Sequence, residues 1–370
     1  MKILSIVGAR PQFVKAAPLL REFARRTCEH VLVHTGQHYD YEMSQVFFDQ
    51  LQIAPPDYSL GVGSDSHAAQ TAEMMRRLEP ALAAQQPDWV LVFGDTNSTL
   101  AGALTAAKMK LRIGHVEAGL RSFNRAMPEE INRIVADHVA GLLFAPNPGA
   151  ARQLAAEGIR SGVHLVGDLM LDLALETSAM LPPRPDIARR LGVAGKEYAV
   201  ATVHRASNTD DADAFGRIAA GLRRIGMPVV FPVHPRAASL ARRFLPAGAS
   251  DPVVVVEPMP YQDMIALVRG ARVVLTDSGG LQKEAVVLGV PCVTLRDETE
   301  WPETLESGWN ALAGTDPERI AALAARPAPK RPSAFFGSDG GCARRIADVL
   351  LDGSAQSREP AREVLAGLSG

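Results

Sequence analysis

Several features that define common protein classes are missing from this 370-residue sequence. Its three cysteines form no C-x-x-C pair, and their spacing fits no zinc ribbon or zinc finger. No apolar run approaches the length of about 18 residues that a spanning helix requires, so no membrane span is predicted. The motifs G-x-G-x-x-G, G-K-[ST] and H-E-x-x-H are also absent, which argues against a dinucleotide loop, a P-loop and a zinc-protease helix.

Strong charge of either sign is also missing. The formal net charge is only −2, and charged residues make up 22% of the chain. We therefore expect neither nucleic acid nor a membrane as a partner. The first segment, KILSIVG, lacks a cleavage site and predicts a strand rather than a signal peptide, and the cysteine usage favours a cytoplasmic protein. Cys292, within the apolar run VPCVTL, is expected to be a buried core residue.

What the chain does contain is a succession of short apolar runs that alternate with longer amphipathic segments. The runs are rich in Val, Ile and Leu and do not alternate polar with apolar residues, which is typical of strands covered on both faces. Six runs precede the proline-rich segment at residues 181–198, and five follow it. This order predicts an α/β fold with two doubly wound parallel sheets. We therefore predict an N-terminal domain over residues 1–180, a C-terminal domain over 181–340 and a frayed tail over 353–370.

Chemistry-bearing residues follow most of the predicted strands. In open parallel sheets ligands bind beyond the carboxyl ends of the strands, so these positions are candidates for a polar ligand site. The residues that follow strands of the first half are Arg10, Lys15, His38, Asp95, His115, Glu117 and Arg121. Those that follow strands of the second half are His204, Arg205, His234, Arg236, Asp277 and Ser278. Together they predict a crowded polar cleft.

The segment TDSGGLQKEAVVLG is the most specific single signal. A strand is followed by Ser-Gly-Gly and then by a helix that is predicted to end at Gly289. Glycines at a helix N-terminus allow a phosphate to approach the backbone N–H groups, where the helix dipole also favours an anion. Glu284, about one turn into that helix, could accept the hydroxyls of a ribose. The alternative is a strand-helix turn that simply requires glycine.

Three acidic positions form a second group of candidates, for proton transfer. Asp95 and Glu117 leave apolar strands directly, and Glu129 lies beside Glu130 at a predicted helix start. The glutamate pair also has a structural explanation, because acidic side chains stabilise a helix N-terminus. Since we find neither a dinucleotide site nor a set of metal ligands, we expect chemistry without a cofactor and without a catalytic metal.

The motifs taken in order resemble those of the non-hydrolysing UDP-N-acetylglucosamine 2-epimerase family. They span about residues 1–350 and read GARPQFVK, TGQHYD, GDTNSTLAG, HVEAGLRSF, MPEEINR, VGD, HRASN, VHPR, TDSGGLQKEA and RDETEWPET. Each motif is modest alone, but the full series is specific. The resemblance implies a GT-B-like fold with two doubly wound domains facing a central cleft, a homodimer, and a role in making precursors of cell-surface polysaccharides. It also implies that a C-terminal helix over residues 341–352 packs back on the first domain.

The same resemblance implies a reaction and a set of residues. The family interconverts UDP-N-acetylglucosamine and UDP-N-acetylmannosamine without NAD or metal, by eliminating UDP to a glycal and adding it back. The implied catalytic residues are Asp95, Glu117, Glu129 and His204. The implied contacts to the UDP-sugar are Arg10, Lys15, Arg205, His234, Ser278, Gly279, Gly280 and Glu284. The chemistry agrees, because a departing diphosphate requires cations and inversion at C2 requires proton transfer on both faces. The sequence does not decide which carboxylate serves which face.

The sequence leaves the exact sugar open. Trp301 stands where the N-acetylglucosamine enzymes more often have Arg, and Gln12 and Phe13 stand where Glu and a smaller apolar residue are frequent. The segment HYDYEMSQVFF is closer to a sister group that acts on UDP-2,3-diacetamido-2,3-dideoxyglucuronic acid. UDP-N-acetylglucosamine is therefore the first expectation and the diacetamido sugar the alternative. Trp301 is a candidate selectivity residue, and Gln37 and His38 are candidate regulatory residues.

Three other functions would use parts of the same architecture. A GT-B glycosyltransferase would need an acceptor site and would not need Asp95 and Glu117 together at the sugar. A hydrolysing epimerase would release free N-acetylmannosamine and UDP. A non-catalytic UDP-sugar sensor would bind UDP without requiring the carboxylates, and the many acids and histidines argue most strongly against it.

Overall fold

The computed structural model describes residues 1–37, 53–182, 186–246, 251–330, 333 and 337–351, without the side chain of Arg10. The chain packs into two units. The first contains residues 1–173 and the described part of 336–370, and the second contains the described part of 174–335. The division falls inside a helix, Leu169–Met180, whereas the sequence analysis set the boundary after residue 180. The predicted tail at 353–370 lies outside the described residues.

The first unit is a seven-stranded sheet in which every pair of neighbouring strands is parallel. Its strands are β1 (Lys2–Val7), β2 (Glu29–His34), β3 (Tyr58–Ser59), β4 (Trp89–Phe93), β5 (Ile113–Val116), β6 (Leu142–Ala145) and β7 (Val163–Leu165), in the order β3-β2-β1-β4-β5-β6-β7. The helices described between and after them are α1 (Arg10–Arg25), α2 (His67–Gln85), α3 (Asn97–Lys108), α4 (Pro128–Val139), α5 (Pro148–Ala156) and α6 (Leu169–Met180).

The second unit repeats this architecture with a six-stranded parallel sheet. Its strands are β8 (Ala199–Thr202), β9 (Val229–Pro232), β10 (Val253–Val256), β11 (Val273–Thr276), β12 (Cys292–Thr294) and β13 (Asn310–Leu312), in the order β10-β9-β8-β11-β12-β13. Its helices are α7 (Ile187–Arg190), α8 (Ala206–Thr209), α9 (Ala212–Arg223), α10 (Ala238–Phe244), α11 (Tyr261–Arg269), α12 (Gly279–Val287), α13 (Pro302–Glu306) and α14 (Pro317–Ala325), with a 3₁₀ turn at Pro235–Ala237.

Burial on both faces of the second sheet explains why its strands are continuously apolar. In β8, Ala199 and Ala201 pack on one side with Phe215, while Val200 packs on the other side with Leu267. A strand with one wet face would place polar residues at every second position. The expectation of parallel sheets covered on both faces is confirmed. The predicted burial of Cys292 is confirmed as well, and this burial raises the pKa of its thiol to about 12.

The predicted strand numbers of six and five are wrong, because the sheets have seven and six strands. The two missed strands are β3 and β13. The first contains only two residues, and the second contains three and begins at the polar Asn310. Each lies at a sheet edge, where one neighbour is enough and a long apolar run is not required. No helix among the described residues is long and apolar enough to cross a bilayer.

The last described helix, α15 (Cys342–Leu351), belongs to the first unit and packs against α1. Its first N–H groups are satisfied by Asp172 of α6, whose carboxylate accepts hydrogen bonds from the Cys342 N–H at 3.2 Å and the Ala343 N–H at 2.7 Å. Further along, the Arg26 guanidinium lies 2.6 Å from the Asp348 carboxylate. A buried carboxylate far away in the sequence therefore anchors the start of this helix.

Replacing Asp172 with Ala should destabilise the first unit. Two buried N–H groups would lose their acceptor, so we expect the free energy of unfolding to fall by about 1–3 kcal/mol. The measurement is urea unfolding followed by circular dichroism. Asp348→Ala is the matched control, since Asp348 is half exposed, and should change stability by no more than about 0.5 kcal/mol. Equal stability of Asp172→Ala and the wild type would contradict the anchoring role.

Candidate active site

Several of the candidate residues lie where the strand order of each sheet reverses. This reversal lies between β1 and β4 in the first unit and between β8 and β11 in the second. At such points the loops that follow the two strands diverge and leave a crevice at the carboxyl ends. Arg10, Lys15 and Asp95 follow β1 and β4, and the residues that follow β8 and β11 include His204 and Ser278. The predicted association of polar residues with strand ends is therefore confirmed within each unit.

In the first unit, Gln12 fastens the loop after β1 to the end of β4. Its Oε1 accepts hydrogen bonds from the Gly8 N–H at 2.7 Å and the Ala9 N–H at 3.0 Å, and its Nε2 donates to the Phe93 carbonyl at 2.8 Å. The side chain is buried, so these bonds do not compete with water. The sequence analysis noted Gln12 only as a departure from a family pattern. Its position in an otherwise apolar part of α1 was the available signal for a structural role.

Lys15 and Glu117 form a largely buried ion pair beside this loop, with exposed fractions of 13% and 14%. Burial alone would lower the pKa of Lys15, but the carboxylates of Glu117, Asp95 and Asp168 outweigh it and leave that pKa raised. Glu117 has φ +70°, a backbone conformation that costs roughly 1–3 kcal/mol for a residue with a side chain. Gly94 has φ +63°, and a Cβ there would lie 3.3 Å from both the Glu117 Oε2 and the Lys15 Nζ. A glycine turn and a strained backbone thus hold this pair.

Asp95, the residue after Gly94, pairs with Arg133 of α4. The same guanidinium lies 3.1 Å from Glu130, which is buried and accepts the N–H groups of Ser122 at 2.8 Å and Phe123 at 2.9 Å. Burial would raise the pKa of Glu130, but these donors outweigh it and lower that pKa. Glu130 therefore fixes the loop between β5 and α4, and Arg133 links it to Asp95.

Glu129 differs from its neighbour. It stands in the first turn of α4, which begins at Pro128 as predicted, and it is only half-buried. Within the described part of the chain it has no hydrogen-bond or ion-pair partner. Adjacent residues on a helix point in directions about 100° apart, so one glutamate can support the loop while the other stays available. The sequence could not assign these two roles.

A buried polar network lies behind the strand ends. The His115 ring contacts the Asp137 carboxylate through Nδ1 at 2.7 Å and the Gly94 carbonyl through Nε2 at 2.8 Å. Asp137 also accepts from Arg121 at 2.7 Å, and Arg121 continues to Glu157 at 2.7 Å. The side chains of His115, Asp137 and Arg121 are at most 2% exposed. The sequence analysis counted His115 and Arg121 among the residues of a crowded polar cleft, whereas the structure encloses both side chains among their partners. It missed Asp137 entirely.

In the second unit, the buried Asp277 ties the loop after β8 to the end of β11. Its carboxylate accepts hydrogen bonds from the His204 N–H at 3.0 Å, the Arg205 N–H at 2.9 Å and the Asn208 side-chain amide at 3.0 Å. The sequence analysis noted Asp277 as a polar strand end. The structure instead gives it the task of orienting the backbone that carries His204 and Arg205.

Two imidazoles meet above this loop, with the ring centroids of His204 and His234 5.4 Å apart. The Nδ1 of His234 accepts the Arg236 N–H at 3.2 Å, and Arg236 pairs with Asp210 at 2.9 Å. The pKa of His204 is lowered, first by burial and then by the positive side chains around it, against the opposing effect of Asp277. The neighbouring strands therefore bring these imidazoles together, as their sequence positions suggested.

The N-terminus of α12 has the architecture that the sequence predicted. The Ser278 Oγ caps the helix by accepting the Leu281 N–H at 3.4 Å, and Gly279 and Gly280 form the first turn. The helix ends at Val287, and Gly289 follows with φ +72°. Glycine at 279 keeps the first N–H groups of the helix free of a side chain.

Glu284 and Trp301 flank that first turn. Glu284 is buried and accepts a hydrogen bond from the Tyr261 hydroxyl at 2.9 Å. Trp301 is 8% exposed, and the Lys283 ammonium lies 3.4 Å from the centroid of its ring. A Cβ added at Gly279 would lie 3.0 Å from the Trp301 Nε1. The indole therefore packs against the glycine turn and a buried cation.

Three candidates from the first half of the chain remain, namely Gln37, Arg10 and His38. The Gln37 Oε1 accepts hydrogen bonds from the backbone N–H of Ser98 at 3.0 Å and from its hydroxyl at 2.7 Å, at the start of α3. Arg10 begins α1, but its side chain is not described. His38 lies outside the described residues. In the described ranges, no three His, Cys, Asp or Glu side chains are grouped as they would be around a metal ion.

Comparison with known proteins connects these sites to one family. The family model described as UDP-N-acetylglucosamine 2-epimerase matches residues 21–351. A UDP-N-acetylglucosamine 2-epimerase homolog of Methanococcus maripaludis is 46% identical over 95% of this chain and 99% of its own length. The UDP-2,3-diacetamido-2,3-dideoxy-D-glucuronate 2-epimerase of Pseudomonas aeruginosa is 44% identical, over 86% of this chain and 90% of its own length.

A solved structure agrees with these relatives. The UDP-GlcNAc 2-epimerase of Methanocaldococcus jannaschii, in complex with UDP-GlcNAc and UDP, has 36% sequence identity and a TM-score of 0.79 and covers 95% of this chain and 99% of its own. The two doubly wound sheets give the chain a GT-B-like fold. This chain belongs to the UDP-N-acetylglucosamine 2-epimerase family and, by that membership, is a UDP-sugar 2-epimerase, an isomerase.

Proposed function

We propose that the protein interconverts UDP-N-acetylglucosamine and UDP-N-acetylmannosamine by eliminating UDP and adding it back. The observation that carries this proposal is the Lys15–Glu117 pair, held next to Asp95 at the strand-order reversal of the first unit. The relative from M. jannaschii, which is in complex with UDP-GlcNAc and UDP, supports this choice of sugar.

The reaction begins with the departure of UDP from C1. The electron pair of the C1–O bond leaves with the β-phosphate, and the positive character that develops at C1 acidifies the C2–H. A carboxylate takes the C2 proton, and the C–H electrons form the C1=C2 bond of a glycal. In the second half, the UDP oxygen attacks C1 while a proton is delivered to the opposite face of C2. No electron acceptor is consumed, so the route requires no hydride carrier.

The first unit supplies the groups for proton transfer. Asp95, Glu117 and Glu129 are the proposed acid and base groups, and their assignment to the two faces of C2 stays open. Each of the first two has a cation beside it, Arg133 and Lys15 respectively, which orients its carboxylate. Well-placed proton-transfer groups typically contribute about 10²–10⁴-fold each to the rate.

The second unit supplies the groups for the nucleotide. The N–H groups at Gly279 and Gly280, with Ser278, form the proposed diphosphate site at the start of α12. Arg205 and His234 are further proposed contacts to the UDP-sugar, and Glu284 is the proposed ribose ligand. His204 is the fourth proposed catalytic residue. Arg10 of the first unit is a further proposed diphosphate ligand. These donors would stabilise the negative charge that develops on UDP as it departs.

A second candidate substrate is UDP-2,3-diacetamido-2,3-dideoxyglucuronic acid. It is favoured by the 44% identity to the P. aeruginosa enzyme that is named for this sugar. Elimination and re-addition at C1 and C2 would be the same for both sugars. The two candidates therefore share the catalytic residues and differ only in what surrounds the rest of the sugar ring.

We also propose that the protein acts in the cytoplasm as a homodimer and serves the synthesis of surface polysaccharides. The dimer and the polysaccharide role rest on the family resemblance of the motifs, and the cytoplasmic location rests on the cysteine usage. Gel filtration coupled to light scattering measures the mass directly, and a value near one chain of 39.5 kDa would contradict the dimer.

The test of the proposed function is NMR of the purified protein with UDP-N-acetylglucosamine in deuterated water, without added NAD. We expect UDP-N-acetylmannosamine to appear with deuterium at C2, because the proton removed from C2 exchanges with solvent. A second tube contains the diacetamidoglucuronic acid nucleotide under the same conditions.

Each outcome of this experiment has a clear meaning. Turnover of the second nucleotide alone would assign the alternative substrate. Free N-acetylmannosamine together with UDP would assign a hydrolysing enzyme. No turnover in either tube, or product without deuterium at C2, would contradict the proposal.

Gly279→Ala tests the diphosphate site. The new methyl group would lie 3.0 Å from the Trp301 Nε1 and 3.4 Å from a Glu300 carboxylate oxygen, so these side chains or the first turn of α12 have to give way slightly. We expect the affinity for UDP, measured by calorimetry, to fall about tenfold or more, which corresponds to about 1.4 kcal/mol.

Gly289→Ala is the matched control at the other end of the same helix. It introduces strain at φ +72° but has nothing within 4 Å of the new Cβ, so stability should fall while UDP affinity is retained. Undiminished affinity of Gly279→Ala for UDP would contradict the assignment of this helix start to the diphosphate.

A further inference from the structure

The surroundings of His115 determine its protonation state. Its Nδ1 lies 2.7 Å from a carboxylate oxygen of Asp137, and its Nε2 lies 2.8 Å from the carbonyl oxygen of Gly94. A backbone carbonyl can only accept a hydrogen bond. The Nε2 must therefore carry a proton.

The Nδ1 must carry a proton as well, because Asp137 is an anion. Its second oxygen accepts from the Gly119 N–H at 3.1 Å and pairs with the Arg121 guanidinium at 2.7 Å. Burial would raise the pKa of Asp137, but His115 and Arg121 outweigh it and lower that pKa. A neutral imidazole has a single N–H and would leave one of the two acceptors unsatisfied in a fully buried position.

The contact with Gly94 gives the ring a position in the site. The Gly94 N–H donates to the Val116 carbonyl at 2.9 Å and the Gly94 carbonyl accepts from His115, so the peptide groups on both sides of the Gly94 Cα are held. The turn at Gly94 leads directly into Asp95 and touches the Lys15–Glu117 pair, as the 3.3 Å approach of a Cβ built on Gly94 indicates. His115 itself stands on β5, two residues before Glu117.

We propose that His115 is a positioning residue which stays protonated at both nitrogens and, through Gly94, sets the separation of Asp95 and Glu117. It does not touch the substrate. The inference rests on the proposed function of these two carboxylates, but the charge on the ring can be tested without any turnover.

Several groups of the described residues act on the charge of the ring. They are Asp137 from α4, Glu117 from the end of β5 and, through Asp137, Arg121 from the loop that follows. Burial alone lowers the pKa of His115, but Asp137 first and then Gly94 and Glu117 outweigh it and leave that pKa raised. The ring therefore keeps its charge as the pH rises above the range in which an ordinary histidine loses it.

The first experiment is NMR of the ¹⁵N-labelled protein between pH 6 and pH 8.5, with His115→Gln used to assign the signal among the nine histidines. We expect both ring nitrogens of His115 to carry slowly exchanging protons over the whole range. A ring that loses one proton within this range would overturn the inference. Since no substrate is present, this result is independent of whether the protein proves to be an epimerase.

The second experiment links the charge to the reaction. In Asp137→Asn the ring loses its counter-ion while Arg121 keeps Glu157, so His115 should become neutral near pH 8 and regain its proton as the pH falls. We expect turnover to be about 10–100-fold below wild type at pH 8.5 and the ratio to approach one as the pH is lowered to 6, with little change in KM.

A purely structural role of Asp137 would give a ratio that does not depend on pH, and this result would overturn the positioning role even if the NMR result stands. Should Asp137→Asn fail to fold, the NMR experiment on the wild-type protein still decides the protonation state. If the wild-type protein showed no epimerase activity, that result would instead contradict the proposed function. The NMR experiment would still decide whether the His115 ring is charged.

Discussion

Charge pairing at the carboxyl ends of the parallel strands is the constraint on which the first unit depends. A carboxylate removed from water is costly unless a cation or several N–H donors lie beside it. Here Glu117 has Lys15, Asp95 has Arg133, and Asp137 has both His115 and Arg121. These partners come from α1, α4, β5 and the loop after β5, so each pair also fixes one element against another.

The second unit meets the same constraint differently. Asp277 is fully buried and is held mainly by backbone and amide N–H donors from the loop after β8. The start of α12, one residue further along, has its own side-chain cap in Ser278 and a glycine turn packed beneath Trp301. Trp301 was considered from the sequence as a selectivity residue. Its burial against Gly279 and Lys283 links it first to the shape of the turn that begins α12.

The parts of the fold that could be predicted are those in which burial requires consecutive residues to be apolar. Strands covered on both faces are continuous apolar runs, and residues that follow them collect at one edge, so the two sheets and most strand-end candidates were accessible. Edge strands such as β3 and β13 show no such run, because two or three residues suffice. Helix starts with Pro or with Ser-Gly-Gly, at Pro128 and Ser278, were also correctly predicted.

Partnerships across the chain could not be predicted. His115 and Asp137 lie 22 residues apart, and neither sequence segment indicates that the two side chains are in contact. The different roles of Glu129 and Glu130 depend on which way the first turn of α4 faces, and the neighbouring residues in the sequence do not determine that orientation. The enclosure of Arg121 could not be predicted for the same reason, since its two carboxylate partners come from α4 and from the end of α5.

In the proposed reaction, the charge-paired carboxylates of the first unit move the C2 proton while the second unit binds UDP. The most direct test is Glu117→Gln, with deuterium incorporation at C2 and UDP affinity measured on the same preparation. Glu29→Gln, which removes an exposed carboxylate paired with Lys2, serves as the control. We expect turnover to fall by about 10²–10⁴-fold in Glu117→Gln alone, with UDP affinity unchanged. Normal turnover, or a parallel loss of UDP affinity, would contradict it.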